Sequence, residues 1–130
     1  MNRRFFIAIV IKRGEGFGFI DKTGNTVISL KYDAARRFSD GLAKVALDRK
    51  WGYIDKTGKE VVPLKYDAIR DFSEGLAMIC SNGKCGYVDK TGNVVIQFQY
   101  ESVEAFSDGK AKVKLNGKEF KIDKTGKQEE

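Results

Sequence analysis

A chain of 130 residues fits one domain, and a domain of this size buries about two thirds of its unfolded surface, so it needs no metal to hold a core. The 42% hydrophobic content excludes a disordered chain, and every apolar run is too short for a membrane-spanning helix. The 24 basic and 18 acidic residues give a net charge of +6, which favours acidic partners, although both signs are mixed along the chain.

The N-terminus begins like a signal peptide, with Arg3 and Arg4 ahead of an apolar run over residues 5–11. That run is at the lower limit of length for the apolar region of a signal peptide, and no small-residue cleavage site follows it. We therefore predict a strand over residues 6–12 and favour a cytoplasmic location.

Short motifs recur at one interval of 34 residues. Asp-Lys-Thr-Gly begins at Asp21, Asp55, Asp89 and Asp123, Phe-Ser-Asp/Glu-Gly at Phe38, Phe72 and Phe106, and Tyr-Asp/Glu at Tyr32, Tyr66 and Tyr100. Helical tetratricopeptide repeats share this period, but here glycine turns separate short alternating runs and no helical periodicity is present.

Each repeat is predicted to be a three-stranded meander. The first strand covers residues 6–12, 42–47, 76–81 and 110–115, the second covers 50–55, 84–89 and 118–123, and the third covers 26–30, 60–64 and 94–98. Residues 66–72 and their copies, with apolar residues three apart, fit either one helical turn or a short fourth strand.

The turn residues predict how the strands are joined. Asn82-Gly83 and Asn116-Gly117 favour two-residue type I′ hairpins, in which both residues need a positive φ. Asp-Lys-Thr-Gly favours a type I turn that ends on a left-handed glycine. The resulting register places these pairs opposite each other: Cys80–Cys85, Lys114–Glu119, Ala46–Trp51 and Lys12–Phe17.

Residues 50–62, Lys-Trp-Gly-Tyr-Ile-Asp-Lys-Thr-Gly-Lys-Glu-Val-Val, followed by Tyr66-Asp67 and residues 72–77, resemble the WG repeat, a KWG-type β-repeat of bacterial proteins. The resemblance covers about residues 16–127. It implies a β-rich array that serves as an interaction module. The Trp-Gly pair that gives this repeat its name is complete only at Trp51-Gly52. The other copies read Phe17-Gly18, Cys85-Gly86 and Glu119-Phe120, which favours a structural role for this position.

The chain as a whole is predicted to be all-β, a single domain forming an open array of about 3.5 repeats. Its boundaries are a partial unit at 5–37, units at 38–71 and 72–105, and a partial unit at 106–127. No spare third strand is present to complete a last blade. The alternative is a set of propeller-like blades closed by oligomerisation, and open edge strands would allow self-association.

Catalytic constellations are sparse. The absence of histidine removes Ser-His and Cys-His pairs and the usual zinc-hydrolase ligands. The glycines of residues 14–18 lack the following helix of a phosphate loop. Turn capping explains Asp21, Asp55, Asp89 and Asp123, although these carboxylates leave a carbohydrate hydrolase or lyase as a third hypothesis. We predict no enzymatic activity, no cofactor and no metal.

Cys80 and Cys85 have two interpretations. Their cross-strand spacing fits a disulfide in an oxidising compartment, which would close a very short loop and stabilise little. We favour the other interpretation, two reduced and partly buried thiols.

Aromatic residues recur in rows, and we favour a core role over a stacking ladder for sugars or bases. The candidate interaction residues are Trp51, Tyr53, Lys22, Lys56, Lys90 and Lys124, the lysines being those of the Asp-Lys-Thr-Gly turns. The first functional hypothesis is a non-enzymatic protein-interaction or scaffolding module. The second is electrostatic binding of an anionic polymer, either nucleic acid or a cell-wall polymer.

Overall fold

The computed structural model describes residues 9–14 and 16–129, so positions 6–8 of the first predicted strand lie outside the described residues. Throughout the described part the regular structure is β-strand, with fourteen strands and no helix. Accordingly, no membrane-spanning helix is found there. The all-β class and the tandem repeats predicted from the sequence are confirmed.

The strands follow one another in a repeating order of short hairpins and longer third strands. They are β1 Ile9–Arg13, β2 Gly16–Ile20, β3 Thr26–Tyr32, β4 Ala34–Ala35, β5 Ala43–Leu47, β6 Lys50–Ile54, β7 Glu60–Tyr66, β8 Ala68–Ile69, β9 Leu76–Ser81, β10 Lys84–Asp89, β11 Val94–Tyr100, β12 Ser102–Val103, β13 Lys110–Leu115 and β14 Lys118–Asp123.

The chain divides into two compact units, Met1–Lys65 and Tyr66–Glu130. The first unit contains a three-stranded sheet in the order β1-β2-β3 and a four-stranded sheet in the order β4-β5-β6-β7. The second contains a four-stranded sheet in the order β8-β9-β10-β11 and a three-stranded sheet in the order β12-β13-β14. The single domain predicted from the sequence stays a prediction.

Residues 66–72 and their copies, for which the sequence allowed either a helical turn or a fourth strand, contain a strand of two residues. Strands β4, β8 and β12 pair antiparallel with the first strand of the following repeat, as in Ala68 opposite Cys80. Each of the three sheets that follow β1-β2-β3 therefore begins with the last residues of the preceding sequence repeat. The third strands also extend two residues further than predicted, to Tyr32, Tyr66 and Tyr100.

The hairpin turns have the predicted conformation. Asn82 and Gly83 have φ of 54° and 80°, and Asn116 and Gly117 have 53° and 79°, as a type I′ turn requires. The corresponding turn of the first unit is Asp48-Arg49, where Arg49 has φ of 67° without being glycine, asparagine or aspartate. All four predicted cross-strand pairs are confirmed.

The glycine of the Trp-Gly pair, Gly52 or its copy Gly86, lies where the third strand of the repeat bulges. A Cβ built on Gly52 would lie 2.3 Å from the Val62 carbonyl oxygen, and one built on Gly86 would lie 2.3 Å from the Ile96 oxygen. The carbonyl approaches this closely because the β10–β11 register shifts between Cys85 and Tyr87. In the last copy Phe120 replaces glycine, and in the described part β14 has only an isolated bridge to Gln128 on that side.

Each unit has its own core between its two sheets. In the first unit, Phe19, Ile28 and Tyr32 of the first sheet pack with Val45 and Ile54 of the second. In the second unit, the corresponding cluster contains Leu76, Tyr87, Ile96, Tyr100, Phe106, Ala111, Val113 and Ile122. Most of the aromatic rows are therefore core, as favoured from the sequence.

Candidate interaction surface

One row of side chains near the hairpin turns differs in every copy. The cross-strand pairs of this row are Lys12–Phe17, Ala46–Trp51, Cys80–Cys85 and Lys114–Glu119. The backbone register is the same in each case, while the side chains are a cation and a ring, a small residue and an indole, a pair of cysteines, or two opposite charges. The repeat thus presents different chemistry on one constant frame.

Trp51 is the half-buried indole of this row. It lies opposite Ala46, and Ala46 in turn lies opposite Ala34 on the short strand β4. The Arg36 guanidinium carbon is 5.9 Å from the centre of the indole ring, within the range of a cation–π contact. On the β5 side the tryptophan therefore has two alanines in its row, and an exposed arginine lies over its ring.

Cys80 and Cys85 are joined in the structure by a disulfide with an S–S distance of 2.01 Å, in place of the two reduced thiols that we favoured. Their Cα atoms are 4.1 Å apart, because Cys80–Cys85 is the second pair from the two-residue turn, after Ser81–Lys84, and is of the close, non-hydrogen-bonded type. Cys85 is 6% exposed. The sulfurs fill the place that Ala46 and Trp51 occupy in the preceding repeat.

Tyr53, another candidate interaction residue, is only 4% exposed and belongs to the packed interior. Its copy Tyr87 is fully buried and donates a 2.5 Å hydrogen bond from its hydroxyl to the Glu104 carbonyl. Burial, with smaller contributions from Tyr100 and Glu104, raises the pKa of Tyr87. The tyrosine of this position therefore links neighbouring sheets in the second unit.

The four turn aspartates make the same contacts. In the second turn, Asp55 Oδ1 accepts hydrogen bonds from Thr57 N at 2.9 Å, Thr57 Oγ1 at 2.6 Å and Lys59 N at 3.1 Å. The hydroxyl bond, more than any other contact, lowers the pKa of Asp55. The pKa values of Asp21, Asp89 and Asp123 are lowered in the same way, first by Thr23, Thr91 and Thr125. One oxygen of every candidate acid is thus committed to its turn.

The turn lysines Lys22, Lys56, Lys90 and Lys124 are all exposed. The ammonium of Lys124 is 3.5 Å from the Glu74 carboxylate. Glu74 also accepts hydrogen bonds from Asp108 N and Gly109 N of the equivalent turn, which lowers its pKa. Lys124 is therefore part of a contact between successive repeats within the second unit.

A second set of carboxylates, not predicted from the sequence, caps the hairpin turns. Asp33 Oδ2 accepts a hydrogen bond from Asp48 N at 2.6 Å, and Asp67 Oδ2 accepts one from Asn82 N at 2.9 Å. Glu101 makes a longer bond of 3.3 Å to Gly117 N. The signal was the constant distance between the Tyr-Asp/Glu motif and the following hairpin turn.

An open cleft of about 430 Å³ lies on the last sheet of the second unit. Lys112 and Lys121, directly opposite each other on β13 and β14, line it together with Glu104, Asp108 and Lys110. Lys112 is 4.0 Å from Glu104 and 3.8 Å from Glu119, and Lys110 pairs with Glu129. This cleft is a mixed-charge surface in which two of the three lysines have carboxylate partners.

Positive charge is distributed unequally between the two units. The segment Met1–Lys65 contains fourteen lysines and arginines against seven carboxylates, whereas Tyr66–Glu130 contains ten against eleven. The whole net charge of +6 therefore comes from the first unit. Within residues 9–14 and 16–129, no group of three potential metal ligands is found.

Comparison with known proteins identifies the repeat. A family model described as "WG containing repeat" matches three times, at residues 17–51, 51–85 and 86–118. The solved structure of "KlHsv2 with loop 6CD replaced by a Gly-Ser linker", a β-propeller-like protein, is similar at a TM-score of 0.54 and 9% identity. The match covers 93% of this chain and 46% of that one. Because the identity is only 9%, it shows a shared fold alone. No curated protein matches the sequence.

Proposed function

Since the chain belongs to the family of WG-containing repeat proteins, we propose that it is a non-enzymatic protein-interaction module that serves as a scaffold. The supporting observation is that some positions of the repeat are constant and others vary. Turn and core positions are alike from copy to copy, while the row at Phe17, Trp51, Cys85 and Glu119 differs in each. Variable side chains on a constant frame are typical of repeat proteins that bind partners.

The turn carboxylates favour this function over a carbohydrate hydrolase. Such an enzyme needs one carboxyl with a raised pKa to donate a proton and a second to act as base or nucleophile. The four turn aspartates instead have lowered pKa values, and each stabilises its own turn through three hydrogen bonds to one oxygen.

Electrostatic binding of an anionic polymer is the second candidate. It is favoured by the excess of seven positive charges in Met1–Lys65. This type of binding weakens steeply as salt rises, because the polymer releases counterions when it binds.

The test is a pull-down from native lysate with the full chain as bait, at low and moderate salt, with and without nuclease, read by mass spectrometry. We expect one discrete protein that survives both nuclease and moderate salt. Material that disappears with nuclease or salt would support the anionic-polymer function instead. Recovery of no specific protein would count against the scaffold.

A further inference from the structure

We infer that the surface around Trp51 and Arg36 binds an acidic peptide segment of a partner protein, with an apolar side chain of that segment seated against the indole. The inference rests on the proposed function and names the chemistry of its partner. Trp51 is half-buried, and on the β5 side its row contains two alanines rather than long side chains. A flank of the indole is therefore left for a ligand.

Trp51 and Arg36 are of the two residue types that most often form interaction hot spots. Tryptophan and arginine dominate measured binding hot spots, because a large ring and a planar cation bring much contact area at little entropic cost. Here the Arg36 guanidinium already lies 5.9 Å from the ring centre, so the two groups are held together before a partner arrives. The equivalent row in the second unit is occupied by a disulfide in one copy and by opposite charges in the other.

The positive charge of the first unit favours a partner with negative charge. The surface belongs to Met1–Lys65, which has fourteen basic and seven acidic residues. Asp33 Oδ2 accepts a hydrogen bond from the Asp48 amide, and the exposed Arg36 guanidinium lies over the Trp51 ring, where an incoming carboxylate could also reach it. An acidic segment would be steered to this unit by the long-range field and then paired with arginine at close range.

The arrangement of rings favours a peptide over single-stranded nucleic acid. Proteins that bind single strands stack successive bases on several exposed rings. In the first unit Phe19, Tyr32 and Tyr53 are at most 4% exposed and Phe17 and Phe38 are half-buried, so none of these five rings is a fully exposed stacking platform beside Trp51. A single indole with one arginine matches one apolar residue flanked by carboxylates.

The experiment is selection of a random twelve-residue peptide display library against the full chain, with a labelled oligothymidylate as a separate probe. We expect selected peptides rich in Asp and Glu around an apolar residue. Trp51→Ala should weaken their binding about tenfold and Arg36→Glu by at least as much, as hot-spot substitutions do. Matched controls are Glu119→Ala and Arg70→Glu, the equivalent positions of the second unit, which should leave binding within about twofold.

Arg36→Glu keeps the test valid if Trp51→Ala proves unstable, and circular dichroism checks the fold of every variant. The inference is overturned by a selection without acidic sequences, by no enrichment at all, or by peptides that bind both variants as tightly as the native chain. Tighter binding of the oligothymidylate, sensitive to the same two substitutions, would overturn it in favour of nucleic acid. A protein captured from lysate and cross-linked elsewhere would leave the scaffold function standing while removing this site.

Discussion

At the scale of single residues, glycine has two separate tasks in this repeat. Gly83 supplies a positive φ in a hairpin turn, where a Cβ would meet nothing within 4 Å. Gly86 makes room for the Ile96 carbonyl oxygen, which would lie 2.3 Å from a Cβ. The second task explains why the pair keeps its glycine while its first residue varies among Phe17, Trp51 and Cys85.

We predict that Gly86→Ala lowers the free energy of unfolding by about 3 kcal/mol, because backbone rather than a mobile side chain must move. Gly83→Ala is the matched control and should cost about 1 kcal/mol, the strain of a left-handed alanine. Denaturant unfolding of both variants measures the difference. Equal losses would show that the close approach at Gly86 relaxes at no cost.

Arg49 has a φ of 67°, a conformation that costs an ordinary residue about 1 kcal/mol. Arg49→Gly turns Asp48-Arg49 into the Asp-Gly pair that type I′ hairpins prefer. We expect a gain in the free energy of unfolding of about 0.5–1 kcal/mol, since glycine relieves the strain but adds unfolded-state entropy. Arg49→Ala removes the same charge without relieving φ, so a similar gain in that variant would contradict this explanation.

At the scale of elements, the Asp-Lys-Thr-Gly turn links strand pairing to a titrating group. Asp55 Oδ1 accepts three hydrogen bonds, and the Gly58 amide donates to the Asp55 carbonyl at 2.9 Å. Because the folded-state pKa of the carboxyl is lowered, its contribution to stability is present above about pH 4 and is lost as pH falls through the lowered pKa.

Thr57→Val removes the hydroxyl that contributes most to the lowered pKa of Asp55. We predict that this pKa rises toward its ordinary value, so that the carboxyl takes up its proton at a higher pH. Nuclear magnetic resonance titration of the carboxyl carbons measures the shift. Asp89, whose Thr91 is intact, is the control within the same molecule, and a parallel shift there would point to a global change instead.

At the scale of the whole molecule, the composition describes a basic protein without saying where its positive charge lies. The division into units places the excess of positive charge in the first unit. We predict that heparin, used as a model polyanion, protects segments within residues 9–65 from hydrogen exchange more than segments within 66–129. The protection should decline steeply as salt rises. Neutral dextran is the control polymer, and equal protection of both segments would show that the charge excess does not direct binding.

The amino-acid sequence determined the local structure of this protein. Strand positions, the φ signs at Asn82-Gly83 and the pairing of Cys80 with Cys85 follow from side-chain alternation and turn chemistry, which act over a few residues. The family follows from the same local motifs, because they recur at one interval.

Only the tertiary structure decided what depends on the approach of another strand. The two residues of β8 become a strand by pairing with residues of β9 ten and twelve positions further along the chain, and Gly86 is needed because β11 bulges over it. Burial likewise distinguishes Tyr53, enclosed in the core, from Trp51, two residues away on the same face and partly open to solvent. Local propensity contains no term for how closely another strand or sheet approaches, and that approach determines which side chains remain available to a partner.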